Sequence, residues 1–211
     1  MEMLPNTLLL LCSSLGYGTL AGINLYLASF MVGMAIRFNF IQIHEHFHQL
    51  DVLASPWIIV FSGVLYLIEF FADKIPGLDS IWDTVHTAIR PIGAMAVSLM
   101  SIGTVNNEWI VLAALLSGSA SLTTHTAKMG TRLVANTSPE PVSNVILSVG
   151  EDVAVASGAI FLLKYPIITA SFCLIGLIGL WILIPKIIRK IGGLSKAMRF
   201  RFSRNRTQQA S

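Results

Sequence analysis

The chain has 211 residues, of which 54% are hydrophobic and 12% charged, against the roughly 25% charged residues of an ordinary soluble domain. A mean hydropathy of +0.72 with long uncharged runs excludes a water-soluble globular domain, a disordered chain, a collagen and a coiled coil, and leaves an all-helical membrane protein. The net charge of +3 hides an asymmetry, because eight of the 14 basic residues, from Lys186 to Arg206, follow the last apolar run and the rest of the chain is net acidic.

Six runs are long enough to cross about 30 Å of hydrocarbon. They cover about Thr7 to Ile36, Pro56 to Phe71, Ser80 to Gly103, Trp109 to Val134, Val142 to Leu163 and Ile167 to Ile188. Before the first there is Glu2 and no Lys or Arg, and no small-x-small cleavage site follows, so it is expected to be a retained span rather than a signal. Leucines precede Cys12, which argues against lipidation. Cys12 and Cys173 both sit in apolar runs without a partner at metal or redox spacing.

The first run is too long for one upright helix and is interrupted by Gly16-Tyr-Gly-Thr-Leu-Ala-Gly-Ile-Asn24, which predicts a break or strong kink. The fourth is interrupted similarly at Ser117-Gly118-Ser119. Two halves, about 7–103 and 108–188, can be overlaid: Gly22 to Arg37 falls on Ser117 to Arg132, Ser55-Pro56 on Ser138-Pro139, and Glu69 on Asp152. Three spans per half would insert the second half upside down, the inverted-repeat plan of many secondary transporters with broken first helices. The expected architecture is one helical membrane domain over 1–190 and a basic tail over 191–211. That tail suits anionic lipid headgroups and a cytoplasmic C-terminus by the positive-inside rule; no nucleic-acid-binding module adjoins it. Six crossings would put the N-terminus on the same side and the loop after Arg37 on the other.

Ionisable groups inside spans are costly unless they face protein or water, so each marks a candidate site. Asp79, Asp83, His86 and Arg90 recur at helical spacing in the third run, as do Asn144, Ser148 and Asp152 in the fifth, with Glu151 alongside. His125, Lys128 and Arg132 share a face of the fourth, and Glu69 and Asp73 one of the second. Six carboxylates (Glu69, Asp73, Asp79, Asp83, Glu151, Asp152) then stand against four cations (Lys74, Arg90, Lys128, Arg132), an excess of two negative charges. Burial of that excess calls for protonation, a bound cation or water.

The loop after Arg37 carries His44, His46 and His48. His44-Glu-x-x-His48 formally matches the zinc-protease signature, but no clear third ligand accompanies it. These histidines are weak metal candidates. Asp79-x-x-x-Asp83 lacks the flanking signatures of lipid phosphotransferases, and Gly118-Ser119-Ala-Ser121 with His125 reads as close helix packing rather than a hydrolase.

The run Glu69-Phe-Phe-Ala-Asp73-Lys74-Ile-Pro76-Gly-Leu-Asp79-Ser-Ile-Trp-Asp83-Thr-Val-His86-Thr-Ala-Ile-Arg90-Pro91, with Lys128-x-x-x-Arg132 and Ser143-Asn144 to Glu151-Asp152, resembles an uncharacterised polytopic membrane family of bacteria and plastids. That family is a domain of unknown function of the DUF 4126 type. The resemblance covers roughly Gly22 to Pro166 and implies no activity. It implies that the charged stripes typify the family, while the His-rich loop is an insertion and the basic tail lies outside. Localisation is then expected in a bacterial inner membrane or a plastid membrane.

The expected function is a transporter or channel for a small cation or proton-coupled solute, with Glu69 and Asp152 as paired carboxylates, Glu151, Asn144 and Ser148 completing the site, and Asp79, Asp83, His86 and Arg90 as gate or relay. The alternative is a non-transporting lipid-binding, scramblase-like or assembly protein. No cofactor signature is present, an enzyme ranks third, and a homo-oligomer stays open.

Overall fold

The structure, a computed structural model, describes residues 3–40, 45–75, 77–100, 105–135, 141–182 and 185. Among these residues the chain is helical with no strand. The helices are α1 (Met3–Phe38), a 3-10 helix (Glu45–Ala54), α2 (Pro56–Ala72), α3 (Leu78–Met100), α4 (Asn107–Ala135), α5 (Pro141–Lys164) and α6 (Pro166–Ile182). Local chemistry sets several boundaries. Ser55 is extended and Pro56 supplies a preset φ at the first turn of α2. Gly77 takes φ +90° in the turn before α3, a conformation that a side chain would disfavour. Pro166, which cannot prolong the bonding of α5, opens α6 instead.

The helices are built inside out relative to a soluble bundle. On α3 the stripe Asp79, Asp83, His86, Arg90, Ala94, Val97 is buried, while Ile81, Val85, Ile89 and Ile92 are exposed. On α2 Glu69 is buried, and Trp57 is 84% exposed. Such apolar exposure would be an aggregation hazard in water; hydrocarbon is the solvent that suits it. α1, α4 and α5 are long and apolar enough to cross a membrane, α2 and α6 are shorter apolar helices, and α3 is lengthy but striped with charge. The protein is membrane-embedded.

α1 does not run straight. Asn24 has non-helical angles (φ −152°, ψ 99°), and the Tyr17 hydroxyl and Ser29 Oγ lie 2.7 Å apart. Twelve residues of straight helix would separate those positions by about 18 Å. Ser13, Ser14 and Val32 also line one small cavity. α1 is therefore a helical hairpin with its tip at Asn24.

The contacts order the remaining helices around that hairpin. The first arm is antiparallel to α3, pairing Ser14 with Ser98 and Gly22 with Arg90, and antiparallel to α5, pairing Gly16 with Leu162 and Leu20 with Gly158. It is parallel to α4, with Gly18 on Ser117 and Gly22 on Ser121. The second arm meets α2 in the opposite sense, Gly33 near Ile59 and Phe30 near Gly63. α6 turns back at Tyr165, placing Ala170 with Leu15 and Cys173 beside Thr19. The bundle thus has an upper end, marked by Ser14, Val32, Ser98 and Leu162, and a lower end, marked by Asp73, Asp79 and Arg132.

Two expectations are corrected by these paths. Both arms of α1 reach the upper end, whereas α6 descends, so Met3 and Ile182, the outer ends of the first and last described helices, do not lie at one end as six simple crossings would require. α4 continues as one helix through Ser117-Gly118-Ser119; its small residues admit α1 instead of breaking the helix.

Candidate functional site: a charged network at the tip of α1

A helix that stops in apolar surroundings leaves carbonyls and amides needing partners. At the tip of α1 both sets find them. Arg90 Nη1 donates to Gly22 O at 3.0 Å and Lys128 Nζ to Ile23 O at 3.3 Å, placing two cations at the negative end of the first arm's dipole. Asn24 Oδ1 accepts the Leu27 N–H at 2.9 Å and so caps the second arm. Gly22 is needed for this approach, since a Cβ there would run into Thr124 and the Ser121 backbone.

The two cations carry a buried ion-pair network. Arg90 Nη2 donates to Glu69 Oε1 at 2.8 Å and to Asp83 Oδ1 at 3.1 Å. Lys128 Nζ contacts Glu69 Oε1 at 3.2 Å and Asp73 Oδ2 at 2.8 Å, with Asp83 at 4.0 Å and Glu151 at 3.8 Å. Arg132 Nη2 joins Asp73 Oδ2 at 3.2 Å to Glu151 Oε2 at 2.6 Å, and its Nη1 donates to Asp73 O at 2.7 Å. Four helices thereby meet through side chains that are almost wholly buried, Glu151 being the most exposed at 18%.

The histidines flank the network, each with one ring nitrogen on a backbone carbonyl. Arg90 has no lone pair to offer, so His125 Nδ1 accepts from Arg90 Nη1 at 2.8 Å and its Nε2–H donates to Asp83 O at 3.0 Å. His86 Nδ1–H donates to Trp82 O at 2.7 Å and Nε2 accepts from the Tyr26 hydroxyl at 2.9 Å. These tautomers follow from the hydrogen-bond network.

Asp152 stands beside the network, midway along α5. Asn24 Nδ2 donates to its Oδ1 at 3.2 Å, while its Oδ2 is buried with no hydrogen-bond partner in the protein, as are Glu69 Oε2, Asp73 Oδ1 and Ser148 Oγ. Asn144 and Ser148 share the buried face of α5 with Asp152. Two predicted members bond their own turns. Asp79 Oδ1 accepts the Gly77 and Ser80 N–H groups in the turn before α3, and Lys74 Nζ bonds Phe70 O and lies 2.9 Å from the centroid of the Phe70 ring. The ion pairs and the Asn24 bond therefore gather five carboxylates and three cations, with Lys74 facing Asp152 from the turn as a fourth.

Asn24, Gly22, Tyr26 and Tyr66, whose hydroxyl is turned to Asp152, were not singled out from the sequence. Asn24 had a readable signal, as the sole amide in a long apolar run. His44 and the side chains of His46 and His48 lie outside the described residues. The backbone from Glu45 is a 3-10 helix, not the α-helix that the zinc-protease pattern requires. Among the described residues no three His, Cys, Asp or Glu side chains converge as a metal-ligand set.

No curated protein and no solved structure matches the chain. A family model does, over residues 11–186, spanning α1 to α6 and every member of the network. With most of its length matched, the chain belongs to the family Domain of unknown function (DUF4126).

Proposed function

We propose that this protein is a membrane transporter or channel for a small cation or a proton-coupled solute, using the carboxylate-lined site at the tip of α1. The observation that carries the reading is Asp152: 9% exposed, bonded through one oxygen to the residue at which α1 breaks, with its other oxygen lacking a hydrogen bond in the protein and the Tyr66 hydroxyl turned toward it. A carboxylate at such depth keeps its charge only with a cation or water against it, and otherwise holds a proton. A broken helix meeting a charged site is also the arrangement by which transporters bind substrates away from either surface.

The inverted repeat belongs to the same proposal. It is supported by the opposed directions of α2 and α5, which bring the overlaid carboxylates Glu69 and Asp152 to one site, each with a buried oxygen lacking a partner. We place the C-terminus in the cytoplasm of a bacterial or plastid membrane on the strength of the basic tail, together with Lys74, Lys128 and Arg132 toward the lower end.

A second reading, a lipid-binding, scramblase-like or assembly protein, is favoured by a groove of about 630 Å³ between α1, α5 and α6, bordered by Leu20, Phe161, Phe172 and Leu177. Against a phosphate site at Arg90, Lys128 and Arg132 stands the pairing of each with buried carboxylates. Currents from proteoliposomes over a panel of cations test the proposal: a current present in the wild type and absent in Asp152→Asn supports it, and equal currents in both refute it.

A further inference from the structure

We infer, resting on the transport reading above, that the species carried is the proton, received by Asp152, and that hydroxyl groups between the arms of α1 form the upper half of its route.

The chemistry around Asp152 suits a proton better than a metal cation. A hard cation needs about six oxygen ligands around it. At the break the oxygens are already taken: Gly22 O by Arg90, Ile23 O by Lys128, and Asn24 Oδ1 by the Leu27 N–H. Glu69 Oε2, Asp73 Oδ1 and Ser148 Oγ keep unpartnered oxygens, but among the described residues no three acidic, His or Cys side chains converge as a metal-ligand set. Asn24 presents its N–H, not its oxygen, to Asp152. The titratable and charged groups that face Asp152 are Tyr66 and Glu69 from α2, Asp73 and Lys74 from the turn after it and Lys128 from α4, with Glu151 beside it on α5. Asp83 and Arg132 pair with Lys128, Asp73 and Glu151 around it. Glu69 and Asp73 are each pinned by a cation through one oxygen, and Lys128 repels an entering cation. A proton asks for one oxygen, and Asp152 Oδ2 supplies it.

The upper half of the bundle points the same way. Between Asp152 and the upper end the buried polar groups are hydroxyls: Ser14 Oγ lies 2.6 Å from Ser98 Oγ, and the Tyr17 hydroxyl 2.7 Å from Ser29 Oγ. In each pair either oxygen can donate; Ser29 Oγ also bonds Leu25 O at 2.8 Å, so reversal of the Tyr17–Ser29 bond, as a relay of protons requires, goes with release of that carbonyl. The cavity at Ser14, Tyr17 and Ser98 measures about 10 Å³ and is closed by Val32, Leu50 and Leu162. That is room for about one water, which passes a proton along hydrogen bonds but excludes a hydrated metal ion. Below Asp152, Glu69, Asp73 and Glu151 continue to the lower end. In the transfer step an O–H bond of the donating hydroxyl or water breaks as the Asp152 Oδ2–H bond forms, and the donor takes a proton in turn from the preceding hydroxyl or water, so that the relay is refilled by a proton entering from water at the upper end.

The test is proton uptake into proteoliposomes holding a pH-sensitive dye, driven by a potassium diffusion potential. Wild type is compared with Asp152→Asn, Asp152→Glu and Tyr17→Phe, each shown to be folded by its elution and thermal unfolding. Uptake in the wild type, at least tenfold slower in Asp152→Asn, retained in Asp152→Glu and reduced several-fold in Tyr17→Phe, is the expected result. A sodium or potassium current without acidification overturns the proton assignment and leaves the transport reading standing. Folded wild-type protein that moves neither protons nor metal cations overturns both.

Discussion

α1 and α4 cross each other along runs of small residues, yet one breaks and the other does not. At the crossing Gly18 and Gly22 of α1 meet Ser117 and Ser121 of α4. On α4 the small side chains tie neighbours together while the helix's own ladder persists: Ser117 Oγ donates to Ala94 O at 3.0 Å and Thr124 Oγ1 to Thr19 O at 3.1 Å. On α1 the glycines also admit close approach, but the carbonyls of Gly22 and Ile23 have cationic donors from α3 and α4, and Asn24 caps the next turn. Small residues permit contact between helices in an apolar setting. A break further requires that every freed backbone group find a partner, and only α1 meets that requirement.

The comparison can be broken most severely at Arg90. Arg90→Met removes the donor shared by Glu69, Asp83, Gly22 O and His125, leaving buried carboxylates short of a cation. The expected loss is about 3–5 kcal/mol, read as a fall in the thermal unfolding midpoint in detergent; a change no larger than that of a surface substitution would contradict the network's role. Next in size is the steric test. A Cβ at Gly18 meets the Ser117 backbone, whereas one at Gly118 meets the flexible end of Met95. Gly18→Ala should cost roughly 1–3 kcal/mol and Gly118→Ala less, and the reverse order would mean that the α1–α4 contact is looser than described.

Asn24→Ala removes the cap of the second arm and a donor to Asp152, for an expected loss of about 1–2 kcal/mol. If the variant is as stable as wild type, the break is not held by this side chain. The smallest effect should come from Ser117→Ala, about 0.5–1.5 kcal/mol for one hydrogen bond to Ala94 O, with α4 helicity unchanged by circular dichroism.

The periodic parts of the molecule were legible in the sequence. Asp79, Asp83, His86 and Arg90 recur at helical spacing and all lie on the buried face of α3; the same holds for Asn144, Ser148 and Asp152 on α5. Periodicity tells which residues share a face, but not which partner each selects. Asp79 and Lys74 resemble network members in spacing, yet each bonds its own turn. The fold-back of α1 lay further from reach, because it depends on Arg90 and Lys128, 68 and 105 residues from the carbonyls they bond. A glycine run and Asn24 announce a break; the direction of the chain after it is decided by long-range partners.

The claim on which the rest depends is that α1 returns to the end from which it starts, carrying its tip into the charged network. The direct measurement is the distance between spin labels at Leu8 and Phe38, both exposed positions, with Cys12 and Cys173 replaced by alanine. A hairpin predicts a separation below about 25 Å, whereas a straight helix would hold the two positions about 45 Å apart. A short distance, lengthened in Asn24→Ala, is the predicted result, and a distribution centred near the straight-helix value would contradict the account.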